Sequence, residues 1–499
     1  MGIVAKQSGW NLVSGYLGTL LGALNTLVLF PATFPENPEM MGSIRWVLST
    51  SLVISAFVHW GWPQAMVTWL PKLGVKVERK SFEFGRTLIS WTLLALLALT
   101  WWRGSELVAL LTNEPLSRDW SPWIWLLVAV YAFFELHAAV LIHNQRVVLP
   151  YVLKDSGRKL TITILLLGTM LGWLTFDHLV AGLLLIYSAM TVWVTLKAYT
   201  LLPNPSEGRG QTWERKPVVK YALTMVMTST AAMMFGQLDI MMIGAWLSLA
   251  EVSQYAIALN FGLVVAMPMK AMNASLRPVI SKMVAQSEWT DLKTLGLRSL
   301  HSQWFASSFI FLNIMAIAPW LLAWLPAGYQ GGLNAIPWLA GAQLIHVLTG
   351  ASGLAIVTSK MYRWGLYANS SMLVMALVMG WFWIPEHGVL GAAQVFFVAI
   401  FTLNLLKFIA LHRLTGSIWV DVRSFKSILW TAVALVTLLF VVPHSYDGDL
   451  LAMTSWGWPA LSVIGIAIWA WVGLVVFNLS DDLRHVVQRI LKILPWNFG

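Results

Sequence analysis

Apolar residues dominate this chain in long stretches, and short polar connections separate them. Fourteen such runs can be marked, roughly at 10–30, 42–70, 86–111, 121–146, 158–176, 179–202, 218–247, 252–280, 299–325, 333–358, 362–384, 388–411, 425–443 and 457–478. About 20 apolar residues in a helix cross the hydrocarbon core of a bilayer, so each run reads as a membrane-spanning helix. The pattern predicts an all-α polytopic membrane protein of about 14 transmembrane helices, with no soluble domain between them. The polar connections carry a second regularity. Basic residues gather in alternate connections: around Lys6, at 72–86, at 146–159 (Arg146, Lys154, Arg158, Lys159), at 197–220, at 282–298, at Lys360 and Arg363, at 407–426 (Lys407 included) and at 484–492. The intervening connections hold only Arg103 and Arg118. Lys and Arg are retained on the cytoplasmic side during insertion, so the alternation predicts that both termini are cytoplasmic.

Composition agrees. The chain has 499 residues, 58% hydrophobic and 11% charged, with a mean hydropathy of +0.70. A net charge of +10 spread over eight separate segments is what positive-inside retention leaves behind, and nucleic-acid binding is not expected. The absence of cysteine excludes disulfides, thiolate metal sites and cysteine nucleophiles. The run beginning at Trp10 is too long for the core of a cleavable signal peptide, so none is expected. No phosphate-binding GxxxxGK loop, dinucleotide fingerprint, HExxH or Ser-His-Asp arrangement is present, so neither an enzyme nor a cofactor is expected.

Two halves of the chain echo each other. Gly22-x-x-Asn25 in the first run matches Gly236-x-x-Asp239 in the seventh, and after the following turn Gly42-Ser-Ile matches Ser253-Gln-Tyr at an offset of 211. In the next helices His59 and Lys270 fall 17 residues after those turn positions. The offset accommodates six spans and a loop, which predicts an N-terminal six-helix lobe (1–202), a cytoplasmic linker (203–217), a second six-helix lobe (218–415), two additional spans (416–479) and an amphipathic cytoplasmic surface helix (480–499). Ser480 is the expected N-cap of that last helix, followed by a stripe from Leu483 to Leu494.

Ionisable residues inside the runs are the candidate site, because a charge at mid-bilayer costs roughly 2.5–3.5 kcal/mol or more and is kept only for a cavity or a partner. Arg45, Glu135, Asp239, Lys270 and Arg277 qualify. Lys270, Asn273 and Arg277 share one face of the eighth run, as do Arg45, Ser49 and His59 in the second and Glu135, His143 and Arg146 in the fourth. These stripes suggest a shared aqueous cavity between two lobes. Each also has a plainer reading: Arg45 and Arg277 lie near helix ends and can snorkel, and Glu135 and Asp239 can be structural partners of the cations.

Several segments carry a resemblance: Ala5-Lys-Gln-Ser-Gly-Trp-Asn-Leu-Val-Ser-Gly-Tyr-Leu-Gly running on to Phe30-Pro, Gly42-Ser-Ile-Arg-Trp, Gly61-Trp-Pro-Gln-Ala-Met, Gln237-Leu-Asp239 and Glu251-Val-Ser-Gln-Tyr255. The chain resembles the O-antigen and exopolysaccharide flippases, the polysaccharide-transport family of the multidrug/oligosaccharidyl-lipid/polysaccharide exporter superfamily. Ser253 departs from the glycine that many relatives carry. The resemblance implies two six-helix lobes in the bacterial inner membrane. It also implies a cargo, a polyprenyl-(pyro)phosphate-linked oligosaccharide moved from inner to outer leaflet by alternating access. Arg45, His59, Lys270, Asn273 and Arg277 would bind it. Asp239, Glu135 and Asn25 would couple to Na+ or H+, and the remaining partners would be membrane lipids and polysaccharide-assembly proteins. The alternatives are an ion-coupled multidrug exporter of the same superfamily, for which a carboxylate-rich cavity would be expected, and a membrane glycosyltransferase or polysaccharide polymerase, for which a larger outer loop would be expected. A scaffold for polysaccharide assembly would leave the embedded charges unexplained.

Overall fold

The computed structural model describes residues 2–73, 75–111, 121–202, 218–219, 222–223, 231–441, 457–475, 479–480 and 482–483. The expected linker 203–217 and most of the expected surface helix at 480–499 lie outside these residues. Among the described residues there is no strand. Seven helices are each long and apolar enough to cross a membrane, and two bent helix pairs meet the same criterion jointly. This is an all-α polytopic membrane fold.

Two compact units divide the chain: Met1–Ala256 with Gly380–Gly388, and Ile257–Met379 with Val389–Gly499. The first contains α1 (Gly2–Leu24), α2 (Pro38–Val58), α3 (Trp62–Leu73), α4 (Val75–Leu111) and α5 (Ser121–His143). It continues with α6 (148–170), α7 (Phe176–Tyr199), α8 (Ala231–Trp246) and the start of α9 (Leu249–Val265). The second holds the rest of α9, then α10 (Met267–Gln286), α11 (Trp289–Ala323), α12 (Ile336–Val347), α13 (Gly350–Thr358), most of α14 (Tyr362–Thr415), α15 (Val422–Val441) and α16 (Gly457–Val475).

Two of the helix breaks coincide with prolines. The runs at 42–70, 252–280 and 333–358 read as single spans, yet each is broken. Pro63, Pro268 and Pro337 lie in the first turns of α3, α10 and α12, where a missing N–H is no loss. The first break is made by Trp60 (φ 53°) and Gly61 (φ 64°); the second bends the chain by 49° and the third, between α12 and α13, by 55°. In α14 the break falls at Gly388 (φ 58°, ψ −140°), a conformation that belongs almost wholly to glycine.

Packing in the first unit explains the motif that matches across the offset. A Cβ on Gly42 would stand 1.8 Å from the carbonyl oxygen of Leu249, so only glycine lets α2 cross α9 this closely. The reverse contact is Ser253 Oγ, which donates to Pro38 O at 2.5 Å. Pro38 plus 211 is 249, and Gly42 plus 211 is 253, so the crossing is reciprocal at the offset the sequence shows. Ser253 fits where a glycine was expected because its hydroxyl finds that carbonyl. Glu251 closes a capping box at the start of α9: Ser248 N–H and Oγ–H both donate to its carboxylate, at 3.0 and 2.9 Å, while its own N–H donates to Ser248 Oγ at 3.2 Å.

In the second unit the two last helices are fastened to α11 by aromatic rings. Trp469 stacks on Phe305 with centroids 5.5 Å apart, and Trp430 and Trp469 donate their indole N–H groups to each other's backbone carbonyls at 3.4 and 3.2 Å. An apolar groove of about 470 Å³ lies beside them, lined by Leu312, Trp430, Val433, Leu438, Ile466 and Trp469 among others. Ser480 Oγ accepts from Leu483 N–H at 3.5 Å, the expected N-cap contact. Outward faces are strongly apolar: Trp101 is 93% exposed, and Trp102, Trp173, Trp381 and Phe382 are likewise exposed. Hydrocarbon tolerates such a surface, whereas water would not.

Candidate functional site

The charged residues inside the first unit gather where α1, α2, α5, α6 and α7 pack. Two of these helices are locally unwound into π turns, Asn25–Leu29 at the end of α1 and Leu153–Gly157 within α6; single π turns recur at functional positions because they displace side chains from α-helical register. Helix α1 approaches the second turn so closely that a Cβ on Gly18 would meet Asp155 O at 2.6 Å. Ser14 and Ser156 hydroxyls join the two at 2.8 Å. Asn25, at the first π turn, is engaged at both ends of its amide by α6: Nδ2 donates to Lys159 O at 2.9 Å, and Oδ1 accepts from Thr163 Oγ1 at 2.7 Å.

One expectation is corrected here. Lys154, Arg158 and Lys159, read from the sequence as part of a cytoplasmic connection, lie within the α6 helix, because the turn after α5 is only four residues long (144–147). Lys154 Nζ pairs with Glu135 Oε1 at 2.5 Å, the side chains being 38% and 18% exposed. Arg158 is stacked over aromatic rings, its guanidinium carbon 4.4 Å from the Tyr131 centroid, 5.0 Å from Phe134 and 5.9 Å from Tyr187. Arg45 is half-buried; it donates to Thr26 Oγ1, faces Tyr187 electrostatically, and keeps a buried Nε without a hydrogen-bond partner. His59 ends α2, its Nδ1 accepting from Gly61 N–H at 3.2 Å, and it is coupled electrostatically to both Glu135 and Lys154. Lys154 and Arg158 therefore face one carboxylate, Glu135, beside Tyr131 and Tyr187, and Tyr187 links Arg158 to Arg45.

Asp239 stands apart from these cations. It is buried on α8, where Oδ2 accepts from the Tyr255 hydroxyl at 2.5 Å and Oδ1 from Ile240 N–H at 2.8 Å. Beside it Ser49 Oγ donates to Gln237 Oε1 at 2.7 Å, joining α2 to α8.

In the second unit Lys270 sits one turn past the bend at Ala266, its N–H donating to Ala266 O at 3.0 Å and its exposed side chain making no hydrogen bond or ion pair with a described residue. It acts electrostatically on His346, as does Lys407, so three basic side chains share that region. Lys407, placed by the sequence reading in a cytoplasmic cluster, lies eight residues inside α14 and packs beside Gly353, with Nζ 3.8 Å from where a Cβ would be. Amides and hydroxyls surround them: Asn404 lies beside His346, Thr349 donates to Asn404 Oδ1, and Asn273 Oδ1 accepts from Gln303 Nε2 at 3.0 Å. Arg277, two turns below Lys270, is exposed. Of the residues marked in the sequence, His59 and Glu135 come together in the first unit while Arg45 lies apart from them, and Lys270 and Asn273 lie about one turn apart on α10 in the second. The apolar flanks of Lys154 (Leu149 to Leu153) and Lys407 (Leu405-Leu406 and Phe408-Ile409) are the signals that would have marked those two as lying within helices. Among the described residues no group of His, Asp and Glu could hold a metal ion.

No protein-family model and no curated protein sequence matches the chain. Solved structures do. A structure titled as the lipid II flippase MurJ in an inward closed conformation is 12% identical, with a TM-score of 0.67 over 94% of this chain and 98% of that one. A point mutant of the Vibrio cholerae MATE transporter VcmN is 12% identical, with a TM-score of 0.54 over 83% and 98%. An inward-facing multidrug-resistance MATE transporter described as of the MOP superfamily is 12% identical, with a TM-score of 0.52 over 85% and 95%. The fold is that of the MOP transporters. At this identity the likeness concerns the fold alone, and the neighbours are transporters and flippases rather than enzymes.

Proposed function

We propose that this chain is a flippase of the bacterial inner membrane. It carries a polyprenyl-(pyro)phosphate-linked oligosaccharide from the inner to the outer leaflet by alternating access, for the assembly of O-antigen, capsule or exopolysaccharide. In this reading the lobes are 1–202 and 218–415, joined by 203–217, with both termini cytoplasmic. The observation that carries it is the cluster in which Lys154 and Arg158 face a single carboxylate, Glu135, with Arg45 beyond Tyr187. Excess positive charge inside a membrane protein is costly, and a phosphorylated headgroup is the ligand that repays it with charge-assisted hydrogen bonds. Lys270, Asn273 and Arg277 would add donors for the headgroup, and His59 would complete the polar lining. The tyrosines around Arg158 suit a sugar face, and a hydrocarbon tail suits an apolar groove like that beside Trp430 and Trp469. The MurJ structure, titled a lipid II flippase, gives a carrier of a lipid-linked cargo on the same fold.

The driving force would be a gradient. An anion of about −2 moving outward across an interior-negative membrane gains about 4.6 kcal/mol per 100 mV, and inward Na+ or H+ held by Asp239, Glu135 or Asn25 would add to it. The test is display of surface polysaccharide in cells whose only copy is Arg45→Ala. Loss of polymer with normal protein level is expected; normal display would sink the proposal. The second reading, an ion-coupled multidrug exporter, draws on the MATE neighbours and on the enclosed Asp239–Tyr255 pair. It requires that removing the gene raise drug susceptibility while leaving surface polymer intact.

A further inference from the structure

We propose that Lys154 and Arg158 form the anion-receiving end of the first unit's cluster, and that Glu135 is its resident counter-ion, which the cargo's phosphate displaces from Lys154. The inference rests on the flippase reading and names the atoms that exchange. Glu135 Oε1 lies 2.5 Å from Lys154 Nζ. Arg158 lies one helical turn further along α6 with its guanidinium stacked on Tyr131; its backbone carbonyl accepts from the Tyr187 hydroxyl at 3.2 Å, but its guanidinium donates to no described residue. Both cations act on Glu135. Lys154 and Glu135 are exposed by 38% and 18%, so an incoming group can reach the pair without unfolding it.

The charges define the ligand. Lys154 and Arg158 against Glu135 leave one positive charge in excess, and a phosphate monoester or a pyrophosphate that displaces Glu135 meets both cations. Such a ligand carries more charge and more acceptor oxygens than one carboxylate, so it wins the competition for Lys154 and satisfies Arg158 as well. Glu135, once displaced, remains beside the bound anion and repels it. That repulsion limits affinity, which a carrier needs in order to release. When the site is empty the carboxylate returns to Lys154 and removes part of the penalty of a lone buried cation. Asp155, the neighbouring acid on the π turn, has its backbone held against Gly18, and His59 is the other titratable group facing the pair.

Binding of farnesyl diphosphate, with farnesol as the uncharged control, to the purified full-length chain in detergent tests this by thermophoresis. Glu135→Gln should tighten farnesyl diphosphate binding about tenfold and leave farnesol unchanged. Lys154→Gln should weaken binding about tenfold, and in its background Glu135→Gln should have no further effect. Should Glu135→Gln fail to yield monodisperse protein, Glu135→Asp, whose shorter carboxylate reaches Lys154 poorly, should tighten binding to a smaller degree. If the wild type binds farnesyl diphosphate but removing the carboxylate leaves affinity unchanged or weaker, the counter-ion role is wrong and the flippase reading stands. If the wild type prefers farnesyl diphosphate no more than farnesol, both fail together.

Discussion

Replacing Gly42 with alanine adds one methyl group at the place where α2 crosses α9, and the structure fixes what it would strike. The new Cβ would stand 1.8 Å from Leu249 O, 2.7 Å from Leu249 C and 3.2 Å from its Cα. A carbon and a carbonyl oxygen rest no closer than about 3.2 Å, so the helices would have to part by about 1.4 Å. The struck atoms are backbone, not the end of a flexible side chain, so no rotamer change relieves the clash. Overpacking of this kind costs about 1–3 kcal/mol, and the upper end is expected because the reciprocal Ser253–Pro38 hydrogen bond at 2.5 Å would be stretched by the same movement. Gly15→Ala is the matched control. No atom lies within 4 Å of its added Cβ, and removing a mid-helix glycine gains about 0.5–1 kcal/mol. Thermal unfolding of the two variants in one detergent, followed by loss of the monodisperse peak on size exclusion, should move in opposite directions. Equal or higher stability for Gly42→Ala would refute the close crossing and the reciprocal packing inferred from it.

Other outcomes follow from the same structure. Lys270→Gln should abolish surface polysaccharide while immunoblots show normal protein, and unchanged polymer would remove Lys270 from the carrier. Asp239→Asn should alter the dependence of reconstituted transport on Na+, pH or voltage; an unaltered dependence would exclude Asp239 as a coupling residue. Cysteines at Trp173 and Ser287, introduced into a chain that has none of its own, should label from opposite sides of intact cells, and same-side labelling would break the topology. Asp421, in the connection before α15, is pushed up by partial burial but held on balance below the usual carboxylate range by Ser424 N–H and Oγ and by His301 Nε2, the last at 2.9 Å. A depressed carboxyl stabilises above its unfolded value near pH 4 and ceases to do so as pH falls through its folded value. Wild type should therefore lose more thermal stability than Asp421→Asn as pH drops from about 5 to 3; parallel curves would show that the pairing contributes nothing.

The sequence made the membrane fold legible because hydrocarbon imposes one demand everywhere, an apolar helix of sufficient length. It marked Arg45, Glu135, Asp239 and Lys270 for the same reason, since a charge in such a helix stands out. Lys154, Arg158 and Lys407 escaped because the rule that locates cytoplasmic loops, a cluster of basic residues after an apolar run, cannot distinguish a loop from a helix that carries its cations inward. Only the turn at 144–147 separates those cases, and its brevity is a property of tertiary packing: α6 starts at once because α1 approaches within reach of Asp155 through Gly18. The π turns at Asn25 and Lys154 were likewise hidden, because a hydrogen-bond shift from i+4 to i+5 follows from what neighbouring helices satisfy, here Asn25 on Lys159 O and Ser14 on Ser156, and no residue propensity encodes it. The helix breaks were accessible in principle, through Pro63 and Pro268, but an apolar count passes over them. What was missed shares one cause. Hydropathy reports how each residue meets lipid, whereas the candidate site is built from residues that meet one another. That is why the most informative pair, Glu135 and Lys154, 19 residues apart in sequence, appears only when their two helices are laid side by side.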